Sequence, residues 1–423
     1  MKVVTVHRGA RDFYQVSSAL AEAGLLRTLV TDLYWPADHT WAAWSGRVLP
    51  ARIQQGIARR NAVGLSSKFV ESCFSGGLFA FALEKSPLPF TWRGAAIRSC
   101  DHLLGRRAAE IAERNGDALL SYSYYAYSAF SHFRGNQPKI LFQLHPHPAA
   151  VRAILEHEGR RNPDCAASLR REWELALPEP DFARLTAEPK MADHWLTASS
   201  FTRNTLCEAG IPAARIHVIP YGTDFHRFSP APGGNRWQSG PLRLLFVGKG
   251  QRKGIKYLLD AVDRLPAGKV ELTMCGRVEE PGLLRNRRQS IHVRGFVSDE
   301  ELVNTYRAAH VFVLPSLAEG FGHVLLEAMA CGLPIIGTTH TATPDLIADG
   351  QEGFIIEPAD TDAVASRIDY FLRNPSRVQS MGDAARSRAE NFTWSRFRAE
   401  VAEVVTKLLT DTRQNHDRQG VAN

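Results

Sequence analysis

The chain has 423 residues and carries 51 Lys and Arg against 44 Asp and Glu, for a formal net charge of +7. With 44% hydrophobic and 22% charged residues, the composition excludes a disordered chain, a collagen and a coiled coil, and the length suffices for two or three domains. Apolar runs in the sequence stay well short of the roughly 18 residues that span a bilayer. The six cysteines form no CxxC pair, which favours a reducing environment and predicts a cytoplasmic protein.

The first half of the chain alternates between apolar runs and amphipathic segments. Apolar runs predict strands at 3–6, 26–31, 118–121, 139–144, 195–198 and 216–219. A helix over 13–23 between the first two strands completes the opening of a βαβ unit. The alternation predicts a parallel sheet with helices on its faces.

A stretch rich in Pro and Gly at 230–241 is the best candidate for a linker, and the alternation begins again after it. Strands are predicted at 242–247, 270–275, 291–293, 311–315 and 334–338, and helices at 255–264, 299–308, 323–329 and 394–409. We therefore expect an α/β protein of two doubly wound, Rossmann-like domains, 1–229 and 242–393, that face each other across a ligand cleft. Segment 394–423 is expected to pack its helix back on the N-terminal domain and to fray in the polar tail after Thr410.

Most of the net charge lies in segment 46–115, which holds 11 Lys and Arg against 5 Asp and Glu, interleaved with aromatic residues. Such a surface can bind anionic lipid, with about 1 kcal/mol per cation near the membrane. A solvated helical face over a core is the alternative. No nucleic-acid-binding motif accompanies the charge, so nucleic acid is not expected as a partner.

A glycine-rich loop follows the first predicted strand of the second domain. From Gly248 to Gly254 its glycines are spaced GxGxxxG, one residue longer than the dinucleotide fingerprint, and Lys249, Arg252 and Lys253 lie between them. Side-chain cations in such a loop suit a diphosphate, through charge-assisted hydrogen bonds. A basic surface loop without a ligand is the alternative.

The most informative segment reads PSLAEGFGHVLLEAMACGLP. Glu319 precedes a helix that we expect to begin near His323, and Glu327 lies about one turn inside that helix. The free N–H groups of Gly322, His323 and Val324 would point out of the helix start, where an anion such as a diphosphate is favoured. Both carboxylates are suited to accept hydrogen bonds from the vicinal hydroxyls of sugars. Alternatively, Glu319 caps the helix and Glu327 is solvated.

This segment, residues 315–334, resembles the pattern PS-x-x-EGFG-x-x-x-LEA-M-A-x-G-x-P of the retaining GT-B glycosyltransferases of group 1, the glycogen-synthase-like family 4. VIPYGTDFHRFSP at 218–230, ADHWLTASSFTRNTL at 192–206 and FVGKGQRKG at 246–254 resemble further segments of that family. The likeness extends over residues 192–371 and is weak over the first 190 residues. It implies a GT-B fold with an N-terminal acceptor-side domain and a C-terminal domain that binds a nucleotide sugar.

The resemblance also implies roles for single residues. Glu327 would hold the ribose hydroxyls of the donor, and Glu319 would hold the hydroxyls of the transferred sugar. The diphosphate would be neutralised by Lys253, together with Lys249 at the position of the usual Arg, a role that Arg252 could share. Backbone amides of the turn and helix start would bind the donor phosphate or sugar, at Gly320, Phe321, Gly322, His323 and Val324.

Three further sets of residues follow from the same likeness. His145 would line the site near the transferred sugar, with His147 as its rival, and we expect the catalytic set to be Glu319, His145 and Lys253. The backbone of the loop at Gly295, Phe296 and Val297 would meet the base. The N-terminal loop would touch the acceptor or the diphosphate with Gly9, Arg8 and Arg11.

The expected reaction is transfer of a hexose, with retention, from a nucleotide sugar to the hydroxyl of a saccharide or lipid-linked acceptor in surface polysaccharide assembly. UDP is favoured over GDP as the nucleotide, and no metal is expected, because the lysines and the helix dipole would stabilise the charge of the leaving diphosphate. A basic segment 46–115 on lipid would place the protein at the inner face of the membrane. The alternatives are a sugar-nucleotide epimerase, a phosphorylase, or a non-catalytic glycan-binding protein. The charged insert at 156–177 is either a helical lid or a solvated helix.

Overall fold

The computed structural model describes residues 1–35, 60–62, 64–73, 90–233, 237 and 239–420, and two parallel β-sheets organise them. The strands of the first sheet are β1 Val3–Val6, β2 Leu26–Thr31, β3 Val70–Ser72, β4 Ala118–Tyr122, β5 Lys139–Gln143, β6 His194–Thr197 and β7 Ile216–Val218. Their spatial order is β3-β2-β1-β4-β5-β6-β7. The order steps outward in both directions from β1, as in a doubly wound fold, so the switch point lies between β1 and β4.

The second sheet repeats this plan in the second half of the chain. Its strands are β8 Leu242–Val247, β9 Val270–Cys275, β10 Ser290–Gly295, β11 Val311–Leu314, β12 Ile335–Thr338 and β13 Gly353–Ile356. Their order is β10-β9-β8-β11-β12-β13, again with a switch point, here between β8 and β11. Loops that follow β8 and β11 therefore meet at one edge of the sheet.

Helices cover both faces of the two sheets. In the first half they are α1 Gln15–Glu22, α2 Phe90–Asn115, α3 Ala126–His132, α4 Pro148–Arg161, α5 Ala166–Leu169, α6 Trp173–Ala176, α7 Glu179–Ala187 and α8 Ser200–Glu208. In the second half they are α9 Ile255–Asp263, α10 Asp299–Ala308, α11 His323–Ala330, α12 Thr343–Leu346, α13 Thr361–Arg373, α14 Pro375–Ala389 and α15 Trp394–Gly420. Short single-turn helices lie in several of the loops between them.

Central strands of the first sheet, such as β4 and β5, are largely apolar because both of their faces are buried. Leu120 and Phe142 belong to the core on one face of the first sheet, whereas Leu119 and Leu141 belong to the core on the other. Successive side chains of a strand point to opposite faces, so a central strand needs apolar residues at every position. Burial of each such side chain contributes about 1.5–3 kcal/mol.

The structure differs from the predicted elements in a few places. Strands β3 and β13 are short and were not predicted, and α1 begins at Gln15 rather than at residue 13. Asp12, Phe13 and Tyr14 all have positive φ, between 42° and 62°, and this left-handed backbone delays the helix. The terminal helix α15 runs to Gly420, so the chain does not fray directly after Thr410 as expected.

Helix α15 returns to the first half of the chain and packs against α1. Arg398 donates hydrogen bonds to Glu22 at 3.0 Å and to Gln15 at 2.8 Å. Thr223, just after β7, forms a bridge with Thr393, just before α15. The two sheets and this returning helix agree in outline with domains at 1–229 and 242–393, and the domain boundaries themselves stay a prediction.

Much of the basic segment lies outside the described residues, namely 46–59, 63 and 74–89. In its described part several cations have carboxylate partners. Arg60 pairs with Asp32 at 3.0 Å, and Arg98 pairs with Asp181 at 2.9 Å. In the described parts of the chain, no helix combines the length and the apolar character needed to cross a membrane. Membrane contact through 46–115 stays a prediction.

Candidate active site

The glycine-rich loop after β8 lies directly against the end of β11. Gly254 has a φ of 75°, and a Cβ built there would come within 1.9 Å of the Pro315 carbonyl oxygen, so only glycine fits. The Leu317 N–H donates to the Arg252 carbonyl oxygen at 2.8 Å. These contacts bring the cations of the first loop beside the Glu319 loop, at the switch point of the second sheet.

Lys253 and Glu319 form an ion pair at this junction. Lys253 Nζ lies 2.8 Å from Glu319 Oε1, and the two side chains are 21% and 14% exposed. Burial alone would raise the pKa of Glu319, but the charges of Lys253 and Arg252 outweigh it and hold this pKa below its usual value. Glu319 is therefore an ionised acceptor of hydrogen bonds at neutral pH.

The Glu319 side chain does not cap the following helix. The N-cap of α11 is Gly322, at a φ of 86°, and among the described residues no side chain caps this helix start. Among those residues, no side chain therefore occupies the N–H groups of His323 and Val324 at this helix start, where an anion is favoured. His323 stacks on Tyr221 with ring centroids 4.7 Å apart, and burial together with Lys253 lowers its pKa to about 4. A neutral ring therefore flanks the helix start at pH 7.

Glu327 is not a solvated helix residue either. Its Oε2 accepts a hydrogen bond from the Tyr306 hydroxyl at 2.9 Å, and burial raises its pKa. The ion pair between Arg227 and Asp299, at 2.9 Å, lies in its electrostatic neighbourhood. A carboxylate held by one tyrosine keeps further lone pairs for other donors, such as hydroxyl groups.

The ends of β8, β9 and β10 offer bare backbone. Gly276 donates to the Gly295 carbonyl oxygen at 2.7 Å, and a Cβ at Gly276 would come within 1.9 Å of the Gly248 oxygen. Phe296, next to Gly295, is 82% exposed, whereas Val297 packs against the core. Glycines at three neighbouring strand ends leave a surface on which a flat ring could lie close to the main chain.

The first sheet contributes His145, which follows the end of β5. Gly320 lies against Leu144, the residue before His145, because a Cβ on Gly320 would come within 1.9 Å of the Leu144 carbonyl oxygen. The Gly320 carbonyl oxygen accepts a hydrogen bond from Ser199 Oγ at 2.5 Å. Burial, aided by Arg252, lowers the pKa of His145 to about 4 against the opposing effect of Glu319, so the ring is neutral at pH 7. The structure thus brings His145 into the electrostatic neighbourhood of the Lys253–Glu319 pair.

His147, the rival of His145, has a different place. Its backbone N–H donates to Thr205 Oγ1 at 2.9 Å, and its ring accepts from the Ala149 N–H at 3.3 Å as the N-cap of α4. These contacts give His147 a structural role at a helix start.

The cations of the glycine-rich loop have unequal surroundings. Lys249 is exposed, and among the described residues it has no carboxylate within ion-pair distance. Arg252 is enclosed instead, with Nε donating to the Ala318 oxygen at 2.9 Å and Nη1 lying 3.3 Å from Glu172 and 3.8 Å from Glu174. Both glutamates belong to the charged insert, whose many charges were the only signal that sequence reasoning had for them.

The N-terminal loop is held by partners of its own. The Gly9 N–H donates to Asp32 at 2.9 Å, Arg8 pairs with Asp101 at 3.2 Å, and Arg11 donates to the Tyr125 hydroxyl. Arg11 is charged and lies near enough to His145 to lower its pKa further.

Asp12, which sequence reasoning missed, lies in this same loop. Burial raises its pKa to about 7, although the Tyr122 hydroxyl donates to its Oδ2 at 2.8 Å. Its left-handed backbone and its raised pKa mark it as a perturbed acid of the first half. No pattern in the sequence around Asp12 indicates this burial.

The site is suited to bind a polyanion next to a polyol. Lys253, Arg252 and a helix start favour negative charge, and Glu319, Glu327 and the neutral His145 can hydrogen-bond to hydroxyl groups. Within the described ranges, no group of three or more His, Cys, Asp or Glu side chains is arranged to hold a metal ion. The need for a metal is untested, and independence from metal stays a prediction.

Comparison with known proteins agrees with this chemistry. Residues 231–388 match the model of the family described as glycosyl transferases group 1. The MMP alpha-(1->4)-mannosyltransferase of Mycolicibacterium hassiacum is 29% identical over 272 residues, which cover 61% of this chain and 65% of the relative. A D-inositol 3-phosphate glycosyltransferase of Nocardiopsis dassonvillei is 32% identical over 54% of this chain and 59% of the relative. The matches thus span less than two thirds of these relatives.

A solved structure matches over nearly the whole chain. Sucrose-phosphate synthase from Thermosynechococcus elongatus superimposes with a TM-score of 0.64 at 18% identity, and the match covers 97% of this chain and 100% of that one. At this identity the likeness concerns the fold alone. Together with the two parallel sheets, it shows that the expected GT-B architecture is correct.

Proposed function

We propose, from the premise that residues 231–388 belong to the group 1 glycosyltransferases, that this protein is a retaining hexosyltransferase. It moves a hexose from a nucleoside-diphosphate sugar to an acceptor hydroxyl. The observation that carries the proposal is the Lys253–Glu319 ion pair, 2.8 Å long, beside the uncapped start of α11. One side of this junction favours a diphosphate and the other favours sugar hydroxyls.

The difficult step is departure of the nucleoside diphosphate, because negative charge grows on the leaving oxygen. Lys253 and the N–H groups at the start of α11 are oriented before the reaction, so they can stabilise that charge without rearranging. Arg252 contributes further positive charge from the same loop. At the other end of the donor, Glu327 accepts hydrogen bonds from the ribose hydroxyls while Tyr306 orients its carboxylate.

The transferred sugar lies between the two halves of the chain in this proposal. Glu319 accepts hydrogen bonds from its hydroxyls, and the neutral ring of His145 supplies one donor and one acceptor. Closure of the halves over the donor excludes water and so suppresses hydrolysis. Retention of configuration follows from the resemblance of residues 315–334 to the Glu-x7-Glu motif.

We propose a UDP sugar as the donor, with a GDP sugar as the alternative that experiment separates. The bare backbone at Gly276 and Gly295 supports a base bound mainly through main-chain groups. The acceptor is a saccharide or a lipid-linked saccharide, consistent with the names of the mannosyl- and inositol-phosphate-directed relatives. Segment 46–115 would hold the protein at an anionic membrane.

Nucleotide binding tests the donor site first. Calorimetry with UDP, GDP and ADP, with and without EDTA, is compared for the wild type, Glu327→Ala and the control Glu300→Ala, an exposed glutamate on α10. We expect one nucleotide to bind in the micromolar range, unaffected by EDTA, with binding lost in Glu327→Ala and kept in the control. Binding of none of the three nucleotides would contradict the proposed function.

Turnover tests the reaction itself. Nucleotide release that requires an acceptor hydroxyl, with the product's anomeric configuration unchanged by NMR, would support a retaining transferase. Release that requires phosphate would indicate a phosphorylase, and change of the donor without any acceptor would indicate an epimerase. Tight binding without turnover on any saccharide would indicate a non-catalytic glycan-binding protein.

A further inference from the structure

The charged insert, residues 156–177, packs on the glycine-rich loop of the other half of the chain. Gln251, at the start of that loop's single turn, donates from Nε2 to Glu158 at 2.7 Å and from its backbone N–H to Ser168 Oγ at 3.2 Å. Glu158 also accepts from the Tyr257 hydroxyl at 2.6 Å. All four of these residues are buried. The insert therefore forms a wall of the loop, and its contacting side chains are not solvated; its role as a lid stays a prediction.

The same insert directs two carboxylates at Arg252. Glu172 lies 3.3 Å and Glu174 lies 3.8 Å from Nη1 of that side chain. Glu174 is fully buried and accepts from the Tyr124 hydroxyl at 2.6 Å, so a hydrogen bond within the first half of the chain anchors it. Glu172 is 19% exposed and lies just before α6, so its side chain has room to turn toward solvent.

Among the enclosed side chains at this place, carboxylates outnumber cations. Arg252 and Lys253 face Glu172, Glu174 and Glu319, while His145 is neutral because burial lowers its pKa to about 4. Burial also raises the pKa of Glu172, against the effect of Arg252 and with help from the neighbouring carboxylates. A diphosphate at this loop would thus meet two cations that are already paired with carboxylates, together with the exposed Lys249.

The remaining charged groups near Glu172 do not relieve this excess. Glu172 Oε1 and Glu279 Oε2 both lie within 4 Å of the position that a Cβ on Gly250 would take. Glu279 is paired with Arg171 at 3.5 Å. Of these two carboxylates, Glu172 is therefore the one whose partner is a cation of the glycine-rich loop itself, and its side chain is 19% exposed.

We propose that Glu172 sets the affinity of the donor site: it holds Arg252 in position and competes with the donor diphosphate for that guanidinium. This inference rests on the proposed function, and it assigns a positioning residue to that site. When a diphosphate binds, the Glu172 side chain gives up Arg252 and turns outward, while Glu174 and the Ala318 carbonyl keep the guanidinium aimed at the site. The insert thereby limits donor binding without touching the sugar.

The test removes this charge and measures binding of UDP, GDP and inorganic pyrophosphate by calorimetry. Glu172→Gln keeps the size and a hydrogen-bonding oxygen of the side chain, and Glu156→Gln, an exposed glutamate of the same insert, is the matched control. We expect Glu172→Gln to bind the nucleotide about tenfold more tightly than the wild type, because a competing like charge is gone. Glu172→Asp keeps the charge and should stay near the wild-type affinity, as should the control.

Kinetics give a second readout. With donor and acceptor present, Glu172→Gln should lower the donor KM and leave kcat within about twofold, because only ground-state competition is removed. A residue that merely supports Arg252 would have the opposite effect, with a raised KM. Glu172→Ser removes the same charge with a smaller side chain and should change the affinity in the same direction if Glu172→Gln folds poorly.

The outcomes separate the two proposals. If the wild type binds a nucleotide but both neutral variants bind it equally or more weakly, the role of Glu172 is refuted and the proposed function stands. If neither nucleotide nor pyrophosphate binds to any of these proteins, both proposals are refuted. Tighter binding in Glu172→Gln and Glu172→Ser, with Glu172→Asp and Glu156→Gln unchanged, supports the inference.

Discussion

The two halves of the molecule contribute to the candidate site in different ways. In the second half, Lys253, Glu319 and the start of α11 lie on two loops that follow β8 and β11, and glycines bring these loops together. In the first half, His145 and Glu174 come from segments that only the packing makes neighbours of the site. Local motifs thus encode the donor side, whereas tertiary contacts assemble the side that faces it.

Removal of the Glu319 charge should have the largest effect. We expect Glu319→Gln to lower kcat by about 100-fold or more, because the Lys253 ion pair is lost and the sugar hydroxyls meet a neutral amide oxygen in place of a carboxylate. Steady-state kinetics with saturating donor, alongside Glu300→Gln as an exposed control, measures it. A decrease of less than tenfold would mean that the catalytic centre does not lie in the second half.

Comparison of two lysines of the glycine-rich loop sharpens the assignment of the donor side. Lys253→Met should weaken nucleotide binding by about 10- to 100-fold, since it removes a positioned cation and leaves Glu319 unpaired. Lys249→Met, at an exposed position, should change it by less than about threefold, as is usual for a surface charge. Calorimetry on both variants decides, and equal effects would mean that Lys249 also contacts the diphosphate.

Buried acids of the first half should appear in the pH dependence of stability. Burial raises the pKa of Glu188 to about 8, although the Tyr124 and Tyr127 N–H groups donate to it. Between about pH 4.5 and 8 the folded state keeps this proton and the unfolded state does not, so the contribution of Glu188 to stability is lost as pH rises. The unfolding free energy of the wild type minus that of Glu188→Gln should fall by up to about 1.4 kcal/mol per pH unit.

Urea unfolding of both proteins at pH 5, 6, 7 and 8 measures this difference. A difference that stays constant over this range would mean that Glu188 is ionised in the folded state.

The smallest effect is expected at the base loop. Gly295→Ala imposes a side chain at a φ of 66°, which costs roughly 1–2 kcal/mol of backbone strain and should weaken nucleotide binding severalfold. Phe296→Ala should change binding by less than about twofold, because the ring is exposed and the base is expected to meet main-chain groups. A larger loss in Phe296→Ala than in Gly295→Ala would show that the aromatic side chain, and not the backbone, binds the base.

Much of the fold was predictable because its strands are buried on both faces. Predominantly apolar strands such as β8 and β9 were located to the residue, and the Pro- and Gly-rich stretch separated two repeats of one pattern. Edge strands β3 and β13 have only three and four residues, which are too few to be distinguished from loops. The start of α1 was misplaced because a left-handed backbone at Asp12, Phe13 and Tyr14 leaves no mark in residue type.

The sequence by itself determined the α/β class and the two-sheet plan, and it supplied the proposed residues of the donor side. Those residues fall in two short motifs, 248–254 and 315–334, whose chemistry depends on glycines and a helix start that spacing reveals. Only the tertiary structure decided which charges face one another: that Lys253 pairs with Glu319, that Glu172 and Glu174 enclose Arg252, and that His145 is neutral. Charge pairing and pKa values depend on burial and on distances between segments remote in the chain. Burial and these distances are fixed only when the two halves pack.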